Sequence, residues 1–188
     1  AGTPGAAAVA QTLHLNVVGH LWLAALSVWF LGRKSSVGRW SASVAGLIYA
    51  GGGFLGVHLD HLNQLQALAW MPLLFLPPVT IHSESGGGDR SAGGLPALRL
   101  PGPLSIGALA MIILSGHMQM AFIAAVGVTI RQLVVVVGDW LRCGRGFPRL
   151  PEAGRLFGLW LLGLLPFALV ALLTGIQLLP TLQLAGLS

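Results

Sequence analysis

Gly52–Pro72 reads GGFLGVHLDHLNQLQALAWMP, and its polarity decides how the rest of the chain is laid out. It holds His58, Asp60 and His61 together with the amides Asn63, Gln64 and Gln66. The sequence on either side is apolar enough for lipid. Polar groups caught between two apolar segments need water or a partner. The patch therefore reads as the mouth of a site at one face of a membrane.

Composition supports a membrane setting. Hydrophobic residues make up 55% of the chain and charged residues only 8%, with a mean hydropathy of +0.82. A soluble domain carries about a quarter charged residues, so a soluble globular class is excluded. Glycine, at 27 residues, is spread through the apolar runs, as suits transmembrane helices in close contact. The net charge of +5 does not point to nucleic acid. The basic residues sit in short loops, where they set orientation and meet membrane lipid. Cys143 is alone, which excludes an internal disulfide and a multi-cysteine metal site. No basic leader with a short apolar core opens the chain, and it reads as part of a longer protein.

Outward from the patch, apolar segments predict helices over 12–32, 40–56, 64–82, 103–116, 118–138 and 155–175. The fold expected is all-α: one polytopic transmembrane bundle of about six helices spanning 1–188. Pro72, Pro77 and Pro78 should kink or end the third helix, which is tolerated where neighbours satisfy the freed carbonyls. Residues 83–102, rich in Gly, Ser and Pro, read as a flexible loop. Ser115–Gln119, SGHMQ, reads as a tight turn.

Basic loops lie at 33–39, 83–102 and 139–155. The positive-inside rule puts all three on the cytoplasmic side. The patch, the SGHMQ turn and the final QLLPTLQL stretch then share the outer face. His58, Asp60, His61, Gln64, His117, Gln119 and Gln177 converge there, and His14 enters from the same side. One long helix over 103–138 in place of two would undo this.

Each motif has a plain reading beside the functional one. His58, Asp60 and His61, with His117, could bind a divalent metal or act as a base and its orienting partner. The spacing is not a diagnostic metal motif, and Asp60 could simply cap the third helix. His117 and Gln119 could contact a substrate or merely form a turn. His20, deep in the first helix, is expected in an interhelical hydrogen bond, and Arg131 should snorkel or pair near the inner side. Walker, dinucleotide-binding, CxxC and serine-elbow motifs are all missing, so no complete active site is apparent and the catalytic residues are unknown.

The order of motifs resembles a known family. LHLNVVGHLWLAAL precedes a basic turn, and a small-residue helix ends in YAGGGF. HLDHLNQLQALAWMPLLFL, SGHMQ and IQLLPTLQLAGLS follow. This resembles the YfhO-like bacterial membrane proteins within the GT-C superfamily of multi-pass glycosyltransferases, from about Leu13 to Ser188. The resemblance implies a protein of the bacterial cytoplasmic membrane that passes a sugar from a polyprenyl phosphate donor to an acceptor at the outer face. It implies a catalytic acid in an outer loop before the first helix, and no matching acid precedes Leu13. His58, Asp60, His61, Gln64, His117, Gln119 and Gln177 match outer-face motifs and carry over as substrate-cavity or structural positions. A cation for the lipid phosphate, an Arg or a metal, would come from elsewhere. Two other classes remain: a non-catalytic subunit packing in a larger membrane complex with other subunits, and a transporter segment with broken helices at Gly51–Gly53 and Gly116.

Overall fold

The computed structural model describes residues 4–57, 59, 61–81, 98–142 and 150–175. The first helix, α1 (Pro4–Lys34), starts on a proline, whose missing N–H suits a helix N-terminus, and ends on Arg33 and Lys34, which complement the dipole there. At 31 residues it is about 46 Å long, longer than the hydrocarbon layer of a bilayer. A short turn with Ser36 at φ 64° leads into α2 (Arg39–Gly51). The two helices lie close because Gly46 faces α1. A Cβ there would stand 2.5 Å from the Ala25 carbonyl oxygen. The second segment then breaks at Gly52 (ψ 150°) and resumes as α3 (Gly53–Val57).

The third segment is the core of the bundle. It runs as α4 (Leu62–Trp70) straight into a 3₁₀ turn (Met71–Phe75). Leu65, Ala67, Leu68, Ala69, Pro72, Leu73, Leu74 and Leu76 are all buried. Its prolines explain both its shape and its surroundings. In an α-helix the N–H of residue i bonds the carbonyl of residue i−4. Pro72 offers no N–H to Leu68 or Ala69, and Pro77 none to Leu73.

Side chains from four other helices reach these carbonyls. Tyr49 Oη donates to Leu68 O over 3.0 Å. Ser27 Oγ lies 2.7 Å from Ala69 O, with the Leu23 carbonyl of its own helix at the same distance. Ser105 Oγ donates to Leu73 O over 3.0 Å, and Arg131 Nη2 donates to Leu76 O. Away from water each unsatisfied carbonyl costs several kcal/mol. Leu68 O also accepts from Met71 N–H, and Leu73 O from Leu76 N–H at 3.4 Å, so the neighbours' polar side chains add to the backbone bonds of the broken segment.

The helix expected over 64–82 thus ends at Phe75. Val79–Ile81 (β1) pairs antiparallel with Leu98–Leu100 (β2), Val79 opposite Leu100. The loop expected over 83–102 is therefore closed at its base by a two-stranded ribbon. α5 (Pro103–Leu114) follows, then the turn at Ser115–Gly116 and α6 (Met118–Arg142). The last helix is α7 (Leu150–Gly175). Trp160 Nε1 donates to Thr129 O over 3.3 Å, joining α7 to α6. Gln132, 2% exposed, lies where any side chain at Gly163 would overlap it.

The described chain is helical apart from its turns and this ribbon. Six segments make up the bundle when α2 is taken with α3 and α4 with the 3₁₀ turn. Among the described residues four helical segments are long and apolar enough to cross a membrane: Gly5–Lys34, Arg39–Val57, Gln119–Gly138 and Leu156–Gly175. The other two segments are shorter. α5, at 12 residues, is about 18 Å long. The outside of the bundle is as apolar as its core. Trp22 is 66% exposed, Ile48 68%, Phe122 70% and Leu172 72%. Continuous exposed apolar surface on this scale calls for lipid or another membrane helix rather than water.

Candidate functional site

The site begins at the turn between α5 and α6. Gly116 has φ +77°, the left-handed conformation that ends a helix most readily at glycine. Its N–H donates to Ile113 O over 3.0 Å, closing α5. His117 then opens α6: its carbonyl accepts from Met120 N–H at 3.0 Å and Ala121 N–H at 3.2 Å. Its ring Nδ1 stands 3.4 Å from the same Met120 N–H. The imidazole is thus folded over the first turn of its own helix.

The other ring nitrogen reaches α4. His117 Nε2 lies 2.6 Å from the side-chain amide of Gln64, 53 residues earlier. Tautomer and amide orientation are coupled here. A neutral ring accepting at Nδ1 carries its proton on Nε2 and donates it to the amide oxygen. The opposite tautomer accepts from the amide nitrogen. In either orientation the second polar atom of the amide is enclosed, with no hydrogen-bond partner among the described residues. A buried polar atom left in that way costs about 1–3 kcal/mol.

This contact puts the start of α4 and the α5–α6 turn at one end of the bundle. The turn joining α1 to α2 and the ribbon belong to the other end, where Arg131 meets Leu76. Of the residues singled out from sequence, Gln64 and His117 are brought together. His61 precedes α4, is exposed, and its carbonyl accepts from Gln64 N–H at 2.9 Å and Leu65 N–H at 3.0 Å. Gln119 is exposed on α6. His58, Asp60 and Gln177 lie outside the described residues. Among the described residues no group of three His, Cys, Asp or Glu side chains is placed to hold a metal. The proposed set of His58, Asp60, His61 and His117 reaches beyond those residues.

Two residues of α1 belong beside this end of the bundle. Asn16, His20 and Ser27 fall within about 40° of one another around the helix at 100° per residue. Ser27 meets α4, so the same face of α1 carries Asn16 and His20 toward the start of α4. Asn16 Oδ1 is enclosed and has no hydrogen-bond partner among the described residues. His20 Nδ1 lies 2.8 Å from the Asn16 carbonyl and donates to it. The bond expected between helices is therefore within α1, and His20 Nε2 is left as an acceptor. The signal in the sequence was polar residues four and seven apart in an otherwise apolar span.

Beside the α5–α6 turn begins an apolar hollow of about 450 Å³ between α5, α6 and α7. Ile113, near the end of α5, and Ala121, in the first turn of α6, line it, with Leu109, Phe122, Val128 and Phe167. Arg131, the one ionisable side chain of the 119–138 span, lies outside that lining. Its Nη2 bonds Leu76 O, while Nη1 is enclosed without a partner among the described residues. The arrangement can hold a neutral polar group at its open end and a hydrocarbon chain below it. No family model, curated protein or solved structure matches the chain.

Proposed function

We propose that this chain is a membrane-embedded part of a glycosyltransferase-like protein of the YfhO-like, GT-C type. It receives a sugar on a polyprenyl phosphate at the outer face of the bacterial cytoplasmic membrane. The reading rests first on the motif order in the sequence. The observation that carries it is the Gln64–His117 contact at the α5–α6 turn, beside which the apolar hollow begins. A polar pair suits the sugar hydroxyls, and the hollow suits the isoprenoid chain. The catalytic acid and the cation for the phosphate come from outside these residues, because the His117 end carries neither Lys nor Arg among the described residues.

The test is sugar transfer in membranes containing the full-length protein. His117→Ala and Asp60→Asn should each lower transfer about tenfold, the equivalent of one lost polar contact of 1.4 kcal/mol, with membrane insertion unchanged. Wild-type transfer in both variants sinks the catalytic reading. The broad exposed apolar surface would then favour the second one, a non-catalytic subunit that packs in a larger membrane complex. That reading requires co-purification with other membrane subunits in mild detergent.

A further inference from the structure

A second groove lies on the opposite side of the core from the α5–α6–α7 hollow, near the basic end. Leu23, Leu26 and Phe30 of α1 form one wall, Leu73 of the 3₁₀ turn and Leu104 of α5 the other, and Trp29 flanks the opening. It encloses about 300 Å³ and its lining is apolar. The hydroxyl of Ser27 in the lining already rests on backbone carbonyls.

The groove ends at a cation. Lys34 follows Phe30 by one helical turn, and its ammonium stands 5.5 Å from the centroid of the Phe30 ring. Among the described residues no carboxylate pairs with Lys34. The neighbouring cations are directed elsewhere: Arg33 Nη1 donates to Val37 O over 3.0 Å, and the Arg39 guanidinium lies over the Trp40 ring. The juxtaposition is therefore a hydrocarbon-lined trough with one positive charge at its mouth.

We infer that this trough is a binding site for an anionic phospholipid of the leaflet that meets the Arg33–Arg39 turn. One acyl chain lies between Phe30 and Leu104, and the phosphate rests on Lys34. Charge complementarity chooses this occupant. A wholly neutral lipid would leave Lys34 without an anion. A zwitterionic lipid brings its own cation to the phosphate and gains less. The inference is independent of the sugar-transfer reading and concerns the other end of the bundle.

Trp29 makes the site measurable. The protein is reconstituted in phosphatidylcholine vesicles doped with either phosphatidylglycerol or phosphatidylcholine brominated on the acyl chain. Quenching of Trp29 is taken as the difference between the protein and its Trp29→Phe variant. Brominated phosphatidylglycerol should quench at about fivefold lower mole fraction than brominated phosphatidylcholine, the advantage of one lysine near anionic lipid. Lys34→Gln should abolish that preference and Lys34→Arg should keep it, both with unchanged helical content by circular dichroism. Equal quenching by the two lipids in the unsubstituted chain overturns the inference. So does a preference that survives in Lys34→Gln.

Discussion

Ser27 and Tyr49 each donate to a carbonyl that faces the missing N–H of Pro72, Ala69 O and Leu68 O, the second of which also accepts from Met71 N–H. Removing either hydroxyl takes a donor from a carbonyl in the core. Ser27→Ala and Tyr49→Phe should each lower the free energy of reversible unfolding in detergent micelles by about 1 kcal/mol, the usual size of such a bond between membrane helices. Ser43→Ala is the control, because Ser43 Oγ bonds only the Arg39 carbonyl of its own helix. It should leave stability within about 0.5 kcal/mol of the parent. Equal effects at Ser27 and Ser43 would show that the α4 carbonyls do not need these donors. At this scale the sequence was only partly legible. Ser27 is a polar break in an apolar run, but its acceptor lies 42 residues away. A carbonyl becomes available only where a helix is interrupted, and that depends on how α4 winds. Asn16 was hidden for a related reason, since spacing alone does not say which face of α1 meets α4.

The element that sets the architecture is α4 with its 3₁₀ turn. The prolines were visible in the sequence, and so was the need for neighbours to satisfy the freed carbonyls. An apolar run of Leu, Phe, Val and Ile has no periodicity that separates helix from strand, so the sequence alone extends the helix to residue 82. Pro77 and Pro78 end the turn, and the β-branched Val79, Thr80 and Ile81 continue as a strand. The role of Pro72 can be tested directly. Pro72→Ala restores an N–H within reach of Leu68 O or Ala69 O, which then competes with the Tyr49 and Ser27 hydroxyls for those acceptors. In a double-mutant cycle, Ser27→Ala should be less damaging in the Pro72→Ala background than in the parent. A coupling of about 0.5 kcal/mol or more is expected for groups sharing one acceptor. Strict additivity would mean that Pro72 does not create the demand that Ser27 meets. At the α1–α2 contact, Gly46→Ala should destabilise more than Gly51→Ala. A Cβ meets the Ala25 carbonyl at the first position and nothing within 4 Å at the second.

Across the whole molecule the membrane class was legible from composition. The grouping of loops into two ends was legible only from their arginines and lysines. Those charges put the α3–α4 junction and the α5–α6 turn on one side, and Gln64 meets His117 there. The geometry places the two segments at one end. α5 is about 18 Å long, short of the hydrocarbon layer. If α5 and the α4 segment act as full crossings, the α1–α2 turn and the start of α6 must lie on opposite sides. Single cysteines at Ser36 and Gln119, both exposed, with Cys143→Ser as background, decide it with an impermeant maleimide. In intact cells Gln119→Cys should label and Ser36→Cys should not, and inside-out vesicles should reverse the pattern. Labelling of Gln119→Cys only in inside-out vesicles would put the Gln64–His117 pair on the inner face. An outer-face sugar site could not survive that result, because a donor held at the outer surface would never reach the pair.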